Sequence, residues 1–143
     1  MSGVGSKQVS RGNFLRLGTA AGLAAAAAPL TASCGKDLPK VKSGRAVIAE
    51  KKLKRNSAYV FEDARTEDPR VVVRLEDGEI LMYSAKCTHK GCTVGYKPEE
   101  QHLVCPCHNS IYSPLSGDVV SGPADKPLAK LPVEVKDGKV LYV

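Results

Sequence analysis

The chain has no tryptophan, two phenylalanines and two methionines in 143 residues, and aromatic side chains make up only 5% of it. Its core is therefore expected to be small and aliphatic, of the kind that gains from cross-links closing its loops. Long apolar runs are scarce as well. Residues 17–30 form a fourteen-residue uncharged stretch dominated by alanine. A spanning helix needs roughly 20 residues, and alanine adds little hydrophobic energy, so stable membrane spanning is not expected of it. Beyond residue 45 no window of useful length has helical periodicity, which excludes a helical bundle. Nor does the chain offer a separate acid–base pair or activated nucleophile, so catalysis by this chain alone is not expected.

Acidic charge is short at one end. Residues 1–35 carry three basic side chains and no acid, and residues 36–55 carry eight basic against two acidic. Residues 56–143 reverse the balance, with ten basic against thirteen acidic, so the overall +6 belongs to the N-terminal third. A nucleic-acid reader would place that charge on the folded domain, and this class is set aside. A basic segment beside an N-terminal anchor suits anionic lipid headgroups instead. The length fits one domain plus a tail.

Residues 1–34 read as an export signal or N-terminal membrane anchor. Lys7, Arg11 and Arg16 precede the alanine-rich run, which closes near Pro29 before the small residues Thr31, Ala32 and Ser33. Ser10-Arg11-Gly12-Asn13-Phe14-Leu15-Arg16 resembles a twin-arginine export motif, with Gly12 in place of its second arginine. Cys34, after Leu30-Thr31-Ala32-Ser33, resembles a lipoprotein cleavage box with its leucine one place early, which makes it a candidate for lipidation. Residues 35–57, with Pro39, Gly44 and many lysines, read as a basic linker with one early strand around 46–48.

From there the pattern is short strands. Residues 58–61, 71–75 and 80–84 are β-rich, the last two separated by Asp77-Gly78. Further strands are expected at 94–96, 102–104, 111–112, 118–120, 131–135 and 139–143, with a turn at Asp137-Gly138. The expected class is all-β: small antiparallel sheets forming a sandwich, with two loops at one tip. His102 alternates with Leu103 and Val104 and reads as a surface strand residue.

Four of the five cysteines and two of the three histidines lie in those two loops, Cys87-Thr88-His89-Lys90-Gly91-Cys92 and Cys105-Pro106-Cys107-His108-Asn109-Ser110. Each contains one Cys/His pair, Cys-x-His and Cys-x-x-His. Two thiolates with two imidazoles suit zinc, or a [2Fe–2S] centre in which histidines replace two cysteines on one iron. Zinc sites usually space like ligands together, whereas here each pair is mixed.

The two loops resemble those of Rieske iron–sulfur proteins, and residues 58–143 resemble the Rieske domain more loosely. The resemblance implies that Cys87 and Cys105 bind the inner iron of one [2Fe–2S] cluster and that His89 and His108 bind the outer iron. It implies a Cys92–Cys107 disulfide clamping the loops, the mark of the high-potential branch similar to the Rieske subunit of quinol–cytochrome c reductase. Ser110 and Tyr112 would donate hydroxyl hydrogen bonds to cluster and cysteine sulfurs, which raises the potential. Ser121-Gly122-Pro123-Ala124 resembles the proline loop that covers the cluster.

The implied role is electron transfer between a cytochrome b-type quinol-oxidising subunit, or another donor, and a cytochrome acceptor. The place would be the outer face of the cytoplasmic membrane or the periplasm, reached through a twin-arginine-like signal, with membrane association through the N-terminal segment. Two positions depart from the family pattern: Lys90 stands where leucine is usual after the first histidine, and Asn109 stands where glycine is usual after the second. The alternatives are the small Rieske subunit of a periplasmic molybdenum oxidase, a free-standing carrier, and a zinc-stabilised binding module.

Overall fold

The computed structural model describes residues 37–143. The export segment, the motif at 10–16 and Cys34 lie outside the described residues.

Short strands follow one another along the chain: β1 (Lys40–Val41), β2 (Arg45–Ala49), β3 (Ser57–Asp63), β4 (Pro69–Arg74), β5 (Ile80–Ser84), β6 (Gly95–Lys97), β7 (His102–Val104), β8 (Ile111–Tyr112), β9 (Val119–Ser121), β10 (Lys130–Leu131), β11 (Val133–Lys136) and β12 (Lys139–Tyr142). A single 3-10 turn, Glu50–Lys52, follows β2. The strands form three sheets, ordered β1-β3-β4-β5-β10, β11-β12-β2 and β6-β7-β8-β9. Pairing is antiparallel except for β1, which lies parallel to β3. No helix among the described residues is long and apolar enough to cross a membrane.

The β3-β4-β5 meander is the middle layer, and side-chain alternation along it builds two cores. Val71, Val73, Leu81 and Tyr83 pack with Cys87, Leu103, Cys105 and Tyr112 beneath the two loops. Phe61, Val72 and Met82 pack with Val47, Leu53, Val140 and Tyr142. A strand covered on both faces has no polar side, which is why Val71-Val72-Val73 runs unbroken. All three valines are fully buried. Each such side chain contributes about 1.5–3 kcal/mol of hydrophobic stabilisation.

Most expected strands appear within one or two residues of their expected bounds. The stretch 131–135 does not form one strand. Pro132 has no N–H to continue a ladder, and the chain changes sheets there, β10 pairing with β5 and β11 with β12. The β11–β12 hairpin turns through Asp137 and Gly138, both with positive φ (50° and 66°), as a two-residue primed turn requires.

The basic linker expected over 35–57 is corrected from Arg45 onward. There β2 pairs antiparallel with β12, Ala49 opposite Lys139, and Val47 and Leu53 are buried in the second core. Arg74 then fastens this segment to β4, donating to the carbonyls of Glu50 and Leu53 and pairing with the Glu50 carboxylate at 3.3 Å. The charges that suggested a linker sit on the solvent side of a built-in strand and turn.

Candidate metal centre

The two loops are built alike from backbone hydrogen bonds. In the first, Cys87 N–H donates to the Cys92 carbonyl and Gly91 N–H to that of Cys87; in the second, Cys105 N–H donates to Ser110 and Asn109 N–H to Cys105. The fifth position of each hairpin has positive φ, 76° at Gly91 and 56° at Asn109. Asparagine is among the side chains that tolerate the left-handed region. That accounts for Asn109 where the family usually has glycine: its backbone geometry is kept.

The loops are joined by a disulfide between Cys92 and Cys107, fifteen residues apart. The other two cysteines, Cys87 and Cys105, are free and buried. Burial pushes the Cys87 thiol up, but hydrogen bonds from the Tyr112 hydroxyl, the His89 and Lys90 N–H groups and Cys105 outweigh it and hold the thiol below its ordinary value. Burial pushes the Cys105 thiol up, and its hydrogen bond to Cys87 adds to that rise. Lowering the Cys87 thiol eases its conversion to the thiolate form that binds a metal. Cys105 Sγ also lies within 4.8 Å of the sulfurs of Cys92 and Cys107. Those two are spent in the S–S bond, so this trio is not a thiolate site.

The imidazoles stand outside the thiols. His89 is half-buried and His108 exposed, with ring centroids 4.8 Å apart and the planes nearly perpendicular at 88°. His89 Nδ1 is buried and has no hydrogen-bond partner among the described residues. An unpaired buried polar atom costs about 1–3 kcal/mol, a penalty that metal ligation removes. Two buried thiols, two neighbouring rings and an orphaned ring nitrogen fit a small soft metal cluster held between the loops. His102, by contrast, lies on β7 opposite Lys97, with Nδ1 against the Glu100 carbonyl, and is outside this group.

Around the thiols, Tyr112 is fully buried on β8. Its hydroxyl lies 3.3 Å from Cys87 Sγ and accepts from Thr88 N–H at 3.2 Å. Ser110, equally buried, accepts the Ala124 N–H on Oγ at 3.2 Å, which leaves its own proton for another acceptor. The segment 121–124 lies against the second loop. A Cβ on Gly122 would fall 2.6 Å from Ser110 Cα and 2.7 Å from the Asn109 carbonyl, at a φ of +97°. Thr88 was not singled out from the sequence. Its Oγ1 donates to the Lys126 carbonyl at 2.7 Å and lies 3.1 Å from Tyr112 Oη, tying the first loop to this covering segment. Its only sequence signal is its place inside the first motif.

The family profile of the Rieske [2Fe-2S] domain matches residues 45–132. The chain belongs to the Rieske [2Fe-2S] family. A Rieske domain carries a [2Fe–2S] cluster, and that is the cofactor of this domain. The match starts at the first residue of β2, in agreement with the revised domain boundary.

The cytochrome b6-f complex iron-sulfur subunit of Oryza sativa subsp. japonica is 38% identical over 113 residues, covering 76% of this chain and 50% of that protein. The menaquinol:cytochrome c reductase iron-sulfur subunit of Geobacillus thermodenitrificans is 38% identical over 80 residues, 52% of this chain and 47% of that one. The chain thus spans about half the length of these curated relatives. Among solved structures, the cyanobacterial plasma membrane Rieske protein PetC3 from Synechocystis PCC 6803 superposes with a TM-score of 0.57 at 27% identity, covering 68% of this chain and 95% of that one.

Proposed function

We propose that Cys87 and Cys105 hold one iron of the [2Fe–2S] cluster and His89 and His108 the other, and that the chain serves a quinol-oxidising complex of the cytochrome bc type. In this reading it takes electrons at a cytochrome b-type subunit and delivers them to a cytochrome, on the outer side of a membrane to which its N-terminal segment brings it. The observation that carries the reading is the layered donor set: two free thiols buried in the domain, and beyond them two adjacent imidazoles, one of them exposed. Relatives with this domain are subunits of cytochrome b6-f and menaquinol:cytochrome c reductase complexes.

A histidine-ligated [2Fe–2S] cluster supplies one-electron transfer at roughly −150 to +300 mV, well above the about −400 mV of all-cysteine plant-type ferredoxins. The chain's residues set the terms. Tyr112 and Ser110 offer hydroxyl donors to sulfur, which favours the electron-rich state. The Cys92–Cys107 bridge and the Thr88–Lys126 contact hold the loops closed. His89 would ligate through Nδ1, the atom left without a partner, and keep Nε2 to hold or release a proton. His108, the exposed ring, would meet the partner.

The test is a redox titration of the cluster-loaded chain at several pH values, beside His108→Cys. The expected result is a potential in the Rieske range that falls as pH rises past neutrality, and a much lower, pH-insensitive one in the variant. Identical titrations of the two proteins would refute the ligand assignment. A colourless protein containing zinc would refute the redox reading itself.

A further inference from the structure

The residues beside the two histidines are Lys90 and Asn109, both exposed. The large exposed apolar side chains, Leu115, Val120, Val135 and Val143, all lie outside the two loops. A cleft of about 510 Å³ opens beside His89, lined by Lys86, Thr88, Lys90, Gly91 and Pro127, with no acidic residue in its wall. Lys86 is held by Asp68 at 3.4 Å. Lys90 and Lys126 have no ion-pair partner among the described residues. Both are exposed, and Asp125 is the one acid in the covering segment 121–127. The rest of 45–143, without Lys86, Lys90, Lys126 and Asp125, carries twelve basic against thirteen acidic side chains. The histidine end thus carries a net positive charge of its own, on a domain whose remainder is close to neutral.

We propose that the electron partner docks on this tip through an acidic protein surface, with Lys90 as the central cation. The proposal rests on the assignment of His89 and His108 as cluster ligands, since that assignment makes the tip the exit for electrons. Inserting Lys90 into an apolar pocket would require desolvating a charge. Facing carboxylates across a wet interface, it would instead steer encounter and set orientation.

The test follows reoxidation of the reduced, cluster-loaded full chain by two one-electron oxidants of opposite charge, ferricyanide and tris(phenanthroline)cobalt(III). Lys90→Glu should slow ferricyanide and speed the cobalt complex, each about tenfold at 0.01–0.1 M ionic strength, and both effects should collapse in high salt. A change in potential or loop order would move both rates the same way, so opposite responses isolate the local charge. Lys136→Glu, on the sheet covering the other face of the meander, should leave both rates within twofold. Octaglutamate should slow ferricyanide reduction by the wild-type chain and not by Lys90→Glu. Rates that ignore Lys90 while the cluster's EPR signal is intact would overturn the docking proposal alone. Binding of the tip to phosphatidylglycerol vesicles without any effect of octaglutamate would overturn it in favour of a lipid surface. Absence of a histidine-ligated EPR signal in the wild-type chain would overturn both this proposal and the ligand assignment.

Discussion

Replacing both Cys92 and Cys107 by serine removes the covalent link between the two loops without leaving an odd thiol. The bridge closes a fifteen-residue separation, for which the chain-entropy relation gives about 3 kcal/mol at 25 °C. Cys92 is half-buried and Cys107 exposed, so the serine hydroxyls stay near water and add little penalty of their own. For a domain of this size each kcal/mol shifts Tm by about 4–5 °C, so the double variant should melt about 12–15 °C lower. The measurement is a thermal melt of cluster-loaded wild type and variant at one scan rate, followed by far-UV circular dichroism. Loss of visible absorbance at room temperature should also be faster in the variant, because only the noncovalent contacts of Thr88 with Lys126 and Ser110 with Ala124 still hold the loops to their cover. A drop below about 3 °C would refute the argument and show that those contacts already fix the loops without the bridge.

Three other outcomes are expected. Tyr112→Phe removes the hydroxyl 3.3 Å from Cys87 Sγ; a loss of about 1 kcal/mol favouring the reduced state corresponds to about 40 mV of lower potential, read by redox titration with the fold unchanged. Gly122→Ala puts a Cβ 2.6 Å from Ser110 Cα in a left-handed backbone and should cost about 2–3 kcal/mol, seen in denaturant titration, while Gly44→Ala, with open space around it, should cost about 1 kcal/mol for its positive φ alone. At Asp63, hydrogen bonds from Arg65 N–H and then the Tyr142 hydroxyl hold the carboxyl below its ordinary value against the opposing effect of burial. The stability this gives is present above about pH 4 and lost as pH falls through the lowered folded value, so Asp63→Asn should flatten the acid limb of the stability–pH curve.

How much of this was legible beforehand depended on how local each feature is. The proposed donors Cys87, His89, Cys105 and His108 lie in two six-residue motifs, because a loop that binds a metal draws its donors from neighbouring positions. The β class and most strand positions were legible for the same reason, since alternation and turn residues act within a few residues. The pairing of Arg45–Ala49 with Lys139–Tyr142 is not local. A short edge strand set between lysines, whose partner lies some 90 residues away, looks like a linker until the partner's apolar face is in place.

The sequence by itself therefore determined the all-β class and the family, whose two loops carry their signature in residue type and spacing. The tertiary structure bears out the Cys92–Cys107 bond that the resemblance implied, and it alone shows how deeply the free Cys87 and Cys105 are buried. It alone decided that Thr88 and Ser110 bind the segment covering the loops, and that Lys90 stands exposed beside His89 on a positive tip. These depend on which backbones three sheets bring together, and burial, charge segregation and hydrogen bonding across such distances are properties of the packed chain rather than of any stretch of it.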